Sequence, residues 1–319
     1  MHIAAIPIAT VTIISFVLFS NPVLYAHTFS ENENALFLTM IDKIKAETQL
    51  VGHDFSNNTQ QAQQHAKIAA ALLTQNDPVV NTTWTSELSE RNPRVTADLL
   101  GSLNDLKTTI AAASSNSNSS TVQSKVINIG NLLDEAVSVR ISKNLLDNPK
   151  TQALVLANLG NEIYNNYGNA LGLPSSTVAS MGGMIMPGMS MSGSKGSSMN
   201  TNSSSSGGMS GMNATIKGMS GMNSMSGPAA MDQSNPPIKN ITDYETAQSL
   251  ASIAQQVFSK DLKPIAPANA TGSTANIEKY IDQLKNAVNN KASFMNVMEL
   301  VHVKLHPTMI AAYNLTLGH

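Results

Sequence analysis

The feature that most constrains this chain is a stretch that cannot be packed. Between Pro174 and Pro237 regular apolar spacing disappears, and residues 181–231 hold 12 methionines, 11 glycines and 13 serines, with Lys195 and Lys217 the only charges. So few branched or aromatic side chains cannot offset the entropy of ordering, and the segment is expected to be disordered. As a Gly/Ser-type coil, residues 174–237 would span roughly 40–50 Å on average. Folding must therefore happen on either side, in a first part at 27–173 and a second at 238–319 that either packs on the first or moves freely.

Both flanks read as helices. Ser30 and Glu33 make a capping box, and Phe37, Ile41, Ile44 and Val51 recur at helical spacing up to Gly52, a natural stop. Gln60 to Leu73 gives a second helix, expected to pair with the first as a hairpin. Asn92-Pro93 and Asn148-Pro149 each place a cap before a proline at the first helical position. Between them a Ser/Asn run, Ser114 to Ser120, breaks the chain. Downstream, Thr242 and Glu245 read as another capping box, and Pro307 ends or kinks the last strong helix. No stretch sustains two-residue alternation. The expectation is an all-α fold: an antiparallel helical bundle of hairpins carrying a long disordered Met/Gly/Ser-rich insertion.

Composition removes several classes of function. A net charge of −2 with 13% charged residues gives no basic stripe for nucleic acid. Aromatics make up 4% of the chain, too few for sugar- or base-stacking platforms. The absence of cysteine excludes disulfides, thiolate zinc, iron–sulfur clusters and a cysteine nucleophile.

Residues Ile3 to Ala26 are apolar and uncharged and read as a signal peptide at 1–26, cleaved after Ala26. The run is also long enough to serve as an uncleaved anchor, although no Lys or Arg precedes it. Either way the remainder is expected outside the cytoplasm, touching membrane only if that segment is retained. Eight Asn-x-Ser/Thr sequons agree with export, at Asn57, Asn81, Asn118, Asn202, Asn213, Asn240, Asn269 and Asn314.

Within the insertion the methionines come in pairs. Met181 and Met184 are separated by two residues, Met184 and Met186 by one, Met186 and Met189 by two, and Met189 and Met191 by one. The hexapeptide Gly-Met-Ser-Gly-Met-Asn occurs at 208–213 and again at 218–223, supplying Met209, Met212, Met219 and Met222, with Met225 just after. Thioether sulfur is a soft ligand that selects Cu(I) over hard cations, and close pairs let a flexible chain wrap two or three sulfurs round one ion. No histidine or carboxylate lies here before Asp232, so Cu(II) and zinc would bind poorly. The segment resembles the methionine-rich stretches of extracytoplasmic copper-handling proteins such as copper importer ectodomains and periplasmic copper carriers. That resemblance covers 181–231 and none of the helices. The plainer alternative is a Gly/Ser linker using methionine as an adaptable residue.

The histidines supply a second set of candidate ligands, with Cu(II) as their option. Cleavage after Ala26 would leave His27 at the amino terminus, offering amine and imidazole together, which resembles the chelate of histidine-brace copper proteins. Glu299, His302 and His306 are spaced by three and four on one helix. Glu-x-x-His also resembles ferritin-like di-iron bundles, which need a second such motif and two further glutamates that are not found. His53 follows the first helix and His65 lies on the apolar face of the second, so the four could converge if the last helix packs there.

No nucleophile elbow, phosphate loop, dinucleotide fingerprint or His-Glu-x-x-His appears. The reading is a non-enzymatic, exported protein that binds, buffers or transfers copper, with an envelope or membrane-associated protein as a partner. The alternatives are a non-catalytic surface interaction protein with a flexible linker, and a metal-dependent oxidase.

Overall fold

A computed structural model of the chain describes residues 31–78, 82–112, 119–183 and 235–315. These residues are all-α; among them no strand forms, and the only bridge is an isolated one between Asn76 and Thr83. The order is α1 Glu31–Asp54, α2 Thr59–Leu72, α3 Trp84–Arg91, α4 Pro93–Ala111, α5 Ser119–Arg140, the single turn α6 Lys143–Leu146, α7 Pro149–Ala170 and α8 Ser175–Gly183. After the insertion come α9 Ile241–Gln256, which runs on as a π-helical turn Val257–Leu262, then α10 Thr271–Asn289 and α11 Phe294–Met298. A second π-helical stretch, Glu299–Leu305, leads into α12 His306–Tyr313. No helix among the described residues is long and apolar enough to cross a membrane.

Side-chain caps set the starts. Asn92 and Asn148 accept from Val95 N and Lys150 N, each followed by the proline that the first turn tolerates. Two expected boundaries differ. α1 runs through Gly52 to Asp54, because burial against α2 outweighs one glycine. α9 is capped by Asn240, whose side chain accepts from Asp243 N, so Thr242 and Glu245 are not the capping pair. Both are thereby freed for other contacts.

Helix α1 organises the packing. At about 100° per residue, Phe37, Ile41, Ile44 and Val51 form one stripe and Ala35, Thr39 and Ala46 another on the opposite side. The first stripe enters a core shared with α2 to α5, where Leu73, Leu88, Leu99, Leu103, Leu106 and Leu133 are buried. The second enters a core built by α7 and α9 to α12. Its small residues let α7 and α9 approach closely, and Thr39 satisfies its buried hydroxyl on Ala35 O at 2.8 Å. α7 is covered on nearly every side, which is why its apolar residues run almost continuously from Ala153 to Leu159.

Described residues on both sides of 184–234 reach the end of α7. α8 packs on the carboxy-terminal end of α7, with Tyr164 donating to Val178 O at 2.8 Å. Gly168 makes that approach possible, since a Cβ there would stand 2.7 Å from Val178. The returning chain donates from Lys239 N and Asn240 N to Ala170 O at 2.8 and 3.0 Å. The expected structureless stretch thus begins later than Pro174. Its first residues are helical, and Met181 is half-buried against the core of α7 to α12. The remaining candidate methionines, Met184 to Met225, and residues 1–30 with His27 lie outside the described residues.

One buried ion pair ties the first core together. Arg140 donates to Glu87 at 2.8 Å, both almost fully enclosed, and its guanidinium lies 4.3 Å from the Phe37 ring centroid and 5.8 Å from that of Trp84. Burial pushes the Glu87 carboxyl up, against the pull of Arg140. Arg140→Leu would leave Glu87 enclosed without its cation and is expected to cost about 3–5 kcal/mol. A urea titration reads this as a lowered midpoint, with the double variant Glu87→Leu/Arg140→Leu recovering most of the loss.

Candidate metal centre

The first functional side chains come from a third side of α1. Glu47 and Asp54 are seven residues apart, two helical turns, and so share a face between the two apolar stripes. The chain then turns and is restarted by Asn58, whose side chain accepts from Gln61 N. α2 returns along α1 and brings Gln61 and His65 onto that face. α9 closes it, delivering Thr242, Glu245 and Thr246 from its first two turns.

His65 is completely buried and has a carboxylate at each ring nitrogen. Nδ1 donates to Glu47 Oε2 at 2.7 Å, and the other Glu47 oxygen accepts from the Thr246 hydroxyl at 2.8 Å. Nε2 faces Glu245 Oε2 at 3.2 Å and Asp54 Oδ2 at 3.6 Å. Gln61 covers the remaining side, its amide nitrogen 3.5 Å from Nε2 and donating to Thr242 Oγ1 at 2.6 Å. Asp54 Oδ2 is buried and has no hydrogen-bond partner, although Oδ1 accepts from His53 Nδ1 at 2.8 Å.

The electrostatics are lopsided. Burial pulls the His65 pKa down, but the hydrogen bond and charge of Glu47, then Glu245 and Asp54, overcome it and raise it above the usual imidazole value. Nε2 points between the Glu245 and Asp54 carboxylates. Burial and the charge of Glu47 also push the Asp243 carboxyl up. Glu47, Asp54 and Glu245 thus converge on one imidazole ring. Asp54, His65 and Glu245 are the one set of metal-type ligands among the described residues whose donor atoms all lie within 4.8 Å of one another.

The other expected ligands lie elsewhere. His53 has 77% of its side chain exposed and reaches the centre only through Asp54. His302 and His306 are buried beside α7, edge to face with ring centroids 5.2 Å apart. His302 also meets Tyr164 edge-on at 4.6 Å, and His306 donates from Nε2 to Ala157 O at 3.0 Å. Gly160 leaves the space for His306, since a Cβ there would stand 3.2 Å from Nε2. Glu299 has left them, pairing with Lys304 at 2.9 Å with 52% of its side chain exposed. The cause is the π-helical stretch, which changes the residues per turn and voids a face assignment made at α-helical spacing. The structure does not bring His302 and His306 to His65.

Glu47, Asp54 and Glu245 were not singled out from sequence as ligands. The i,i+7 carboxylates of α1 were a readable signal. Glu245 was masked by its plausible role as a cap.

A second polar feature lies where the two cores meet. A cleft of about 390 Å³ is bounded by α1, α5, α6, α7 and the π turn after α9, with Ile41, Val155 and Val257 in its walls and Asp42, Lys45 and Asp261 beside it. Burial pushes the Asp42 carboxyl up to about 7, with Asp261 and Asp134 adding to the rise and Lys45 opposing it. An acid whose folded pKa is raised supports the fold below its unfolded pKa, and that support is lost as pH rises through the folded value. Asp42→Asn is therefore expected to raise the thermal midpoint at pH 8 and to change it little at pH 4.

No family profile, curated protein or solved structure matches this chain. Asp54, His65 and Glu245 are placed so that they could together hold a metal ion.

Proposed function

We propose that this chain is a metal-handling protein that works outside the cytoplasm, an antiparallel bundle of helical hairpins that displays a methionine-rich loop for Cu(I). The observation that carries the copper reading is the run of methionine pairs in 181–231; the buried His65, backed by Glu47 and faced by Asp54 and Glu245, supports metal binding without bearing on copper. A metal-bound imidazole almost always donates its other ring N–H to a carboxylate or carbonyl, which fixes its tautomer and orientation. The choice of copper is supported by the repeated methionine pairs, whose thioethers favour Cu(I).

Anchoring both ends of the insertion at the end of α7 suits display of a loop rather than separation of two bodies. Binding, buffering or transfer of copper is the activity, with an envelope or membrane-associated protein as the recipient or donor. Export would follow from residues 1–26, and the sequons would then be open to glycosylation.

In competition with a chromogenic Cu(I) chelator, the full chain is expected to withdraw copper. A variant lacking residues 184–231, its helicity checked by circular dichroism, should lose most of that capacity. Absence of any Cu(I) uptake by the full chain would rule the copper reading out.

A further inference from the structure

The centre around His65 differs in chemistry from the methionine pairs. Its donors are one imidazole nitrogen and two carboxylate oxygens, with no sulfur. Carboxylates suit Mn²⁺, imidazole suits Fe²⁺ and Zn²⁺, and a soft Cu(I) ion gains little from either oxygen. The spacing agrees with such an ion. A tetrahedral site with metal–ligand bonds of about 2.0–2.1 Å has edges of about 3.3 Å. Nε2 lies 3.2 Å from Glu245 Oε2 and 3.6 Å from Asp54 Oδ2.

A second observation points to a ligand independently of the acidic cluster. Asp54 is 5% exposed, and its Oδ2, aimed into the centre, has no hydrogen-bond partner. An enclosed carboxylate oxygen left in that state is costly unless a cation meets it.

The donors also divide by chain position. Asp54 and His65 precede the insertion and Glu245 follows it. The first turns of α9 meet α1 and α2 here through polar contacts: Thr242 with Gln61, Glu245 with His65 and Thr246 with Glu47. These contacts gather three carboxylates around a single imidazole ring, and the mutual repulsion of the carboxylates works against seating α9.

We infer that Asp54, His65 and Glu245 bind a divalent cation of the Mn²⁺, Fe²⁺ or Zn²⁺ class, which clasps α9 onto α1 and α2. This rests on the metal-binding reading above and adds to it a second metal class and a structural consequence. The ion sits at Nε2, Nδ1–H stays on Glu47, and Glu245 supplies the contact from the part of the chain after residue 234.

The test uses the full chain, stripped of metal, titrated calorimetrically with Zn²⁺ and separately with Mn²⁺, with hydrogen exchange followed in peptides covering 241–250. One equivalent should bind at this centre and slow exchange in the first turns of α9. Glu245→Gln keeps shape and removes the charge of a partly exposed side chain, so the fold should survive; its affinity should fall about tenfold or more and its exchange should no longer respond. Glu47→Gln should weaken binding about 10–100-fold through the orientation of His65. Cu(I) alone should leave exchange in 241–250 unchanged.

Undiminished affinity in Glu245→Gln would overturn that ligand assignment. Uptake with no slowing of exchange would overturn the clasp and leave the metal-binding reading standing. If Cu(I) slowed exchange as Zn²⁺ does, the metal class would be overturned. Failure to take up Zn²⁺ or Mn²⁺ while Cu(I) still bound would sink the folded centre and leave the methionine site untouched.

Discussion

Helix α1 has to satisfy four neighbours at once, α2, α5, α7 and α9, and the rest of the structure follows from that. One stripe of branched and aromatic side chains buries itself with α2 to α5, and an opposite stripe of small residues lets α7 and α9 in. Both cores therefore share a wall. Close packing leaves such a helix little freedom, because shifting it to relieve one core would open voids in the other. The third side carries Glu47 and Asp54, which cannot move away from His65 without disturbing both cores. The acidic groups are thus held together by apolar packing they did not create.

This explains how charged side chains come to sit at the junction of α1, α2 and α9. Burying ions is expensive unless they are paired and hydrogen-bonded. Here Glu47 uses both oxygens and His65 uses both nitrogens, while Asp54 keeps one oxygen unpartnered. The buried pair of Arg140 and Glu87 solves the same problem by a closed arrangement, with Thr82 donating to the second Glu87 oxygen at 3.0 Å.

The insertion looks different once its ends are located. A spacer between two bodies would leave from one and arrive at the other. Here the described chain stops in α8, which packs on α7, and resumes at Asn235, which donates to Lys291 O, before Lys239 and Asn240 reach Ala170 O. The carboxy-terminal helices do not move freely, since α9 packs on α7, α1 and α10. Met181 packs against the same core as α7 and α9.

The sequence by itself determined the all-α class, the caps at Asn92 and Asn148 and the apolar stripe of α1. Each follows from local rules of spacing, capping or composition that need no partner. Only the tertiary structure decided which polar groups meet. Glu245 lies 180 residues from His65, and the two touch because α9 returns to α1 and α2 across a segment with no packing information of its own. The pairing of Glu299 with His302 and His306 failed for a related reason. Helical spacing assumes a uniform turn, and packing against α7 is accompanied by a π-helical stretch that no local pattern announced. Local physics sets the elements; where charges converge depends on how apolar faces, far apart in sequence, find one another.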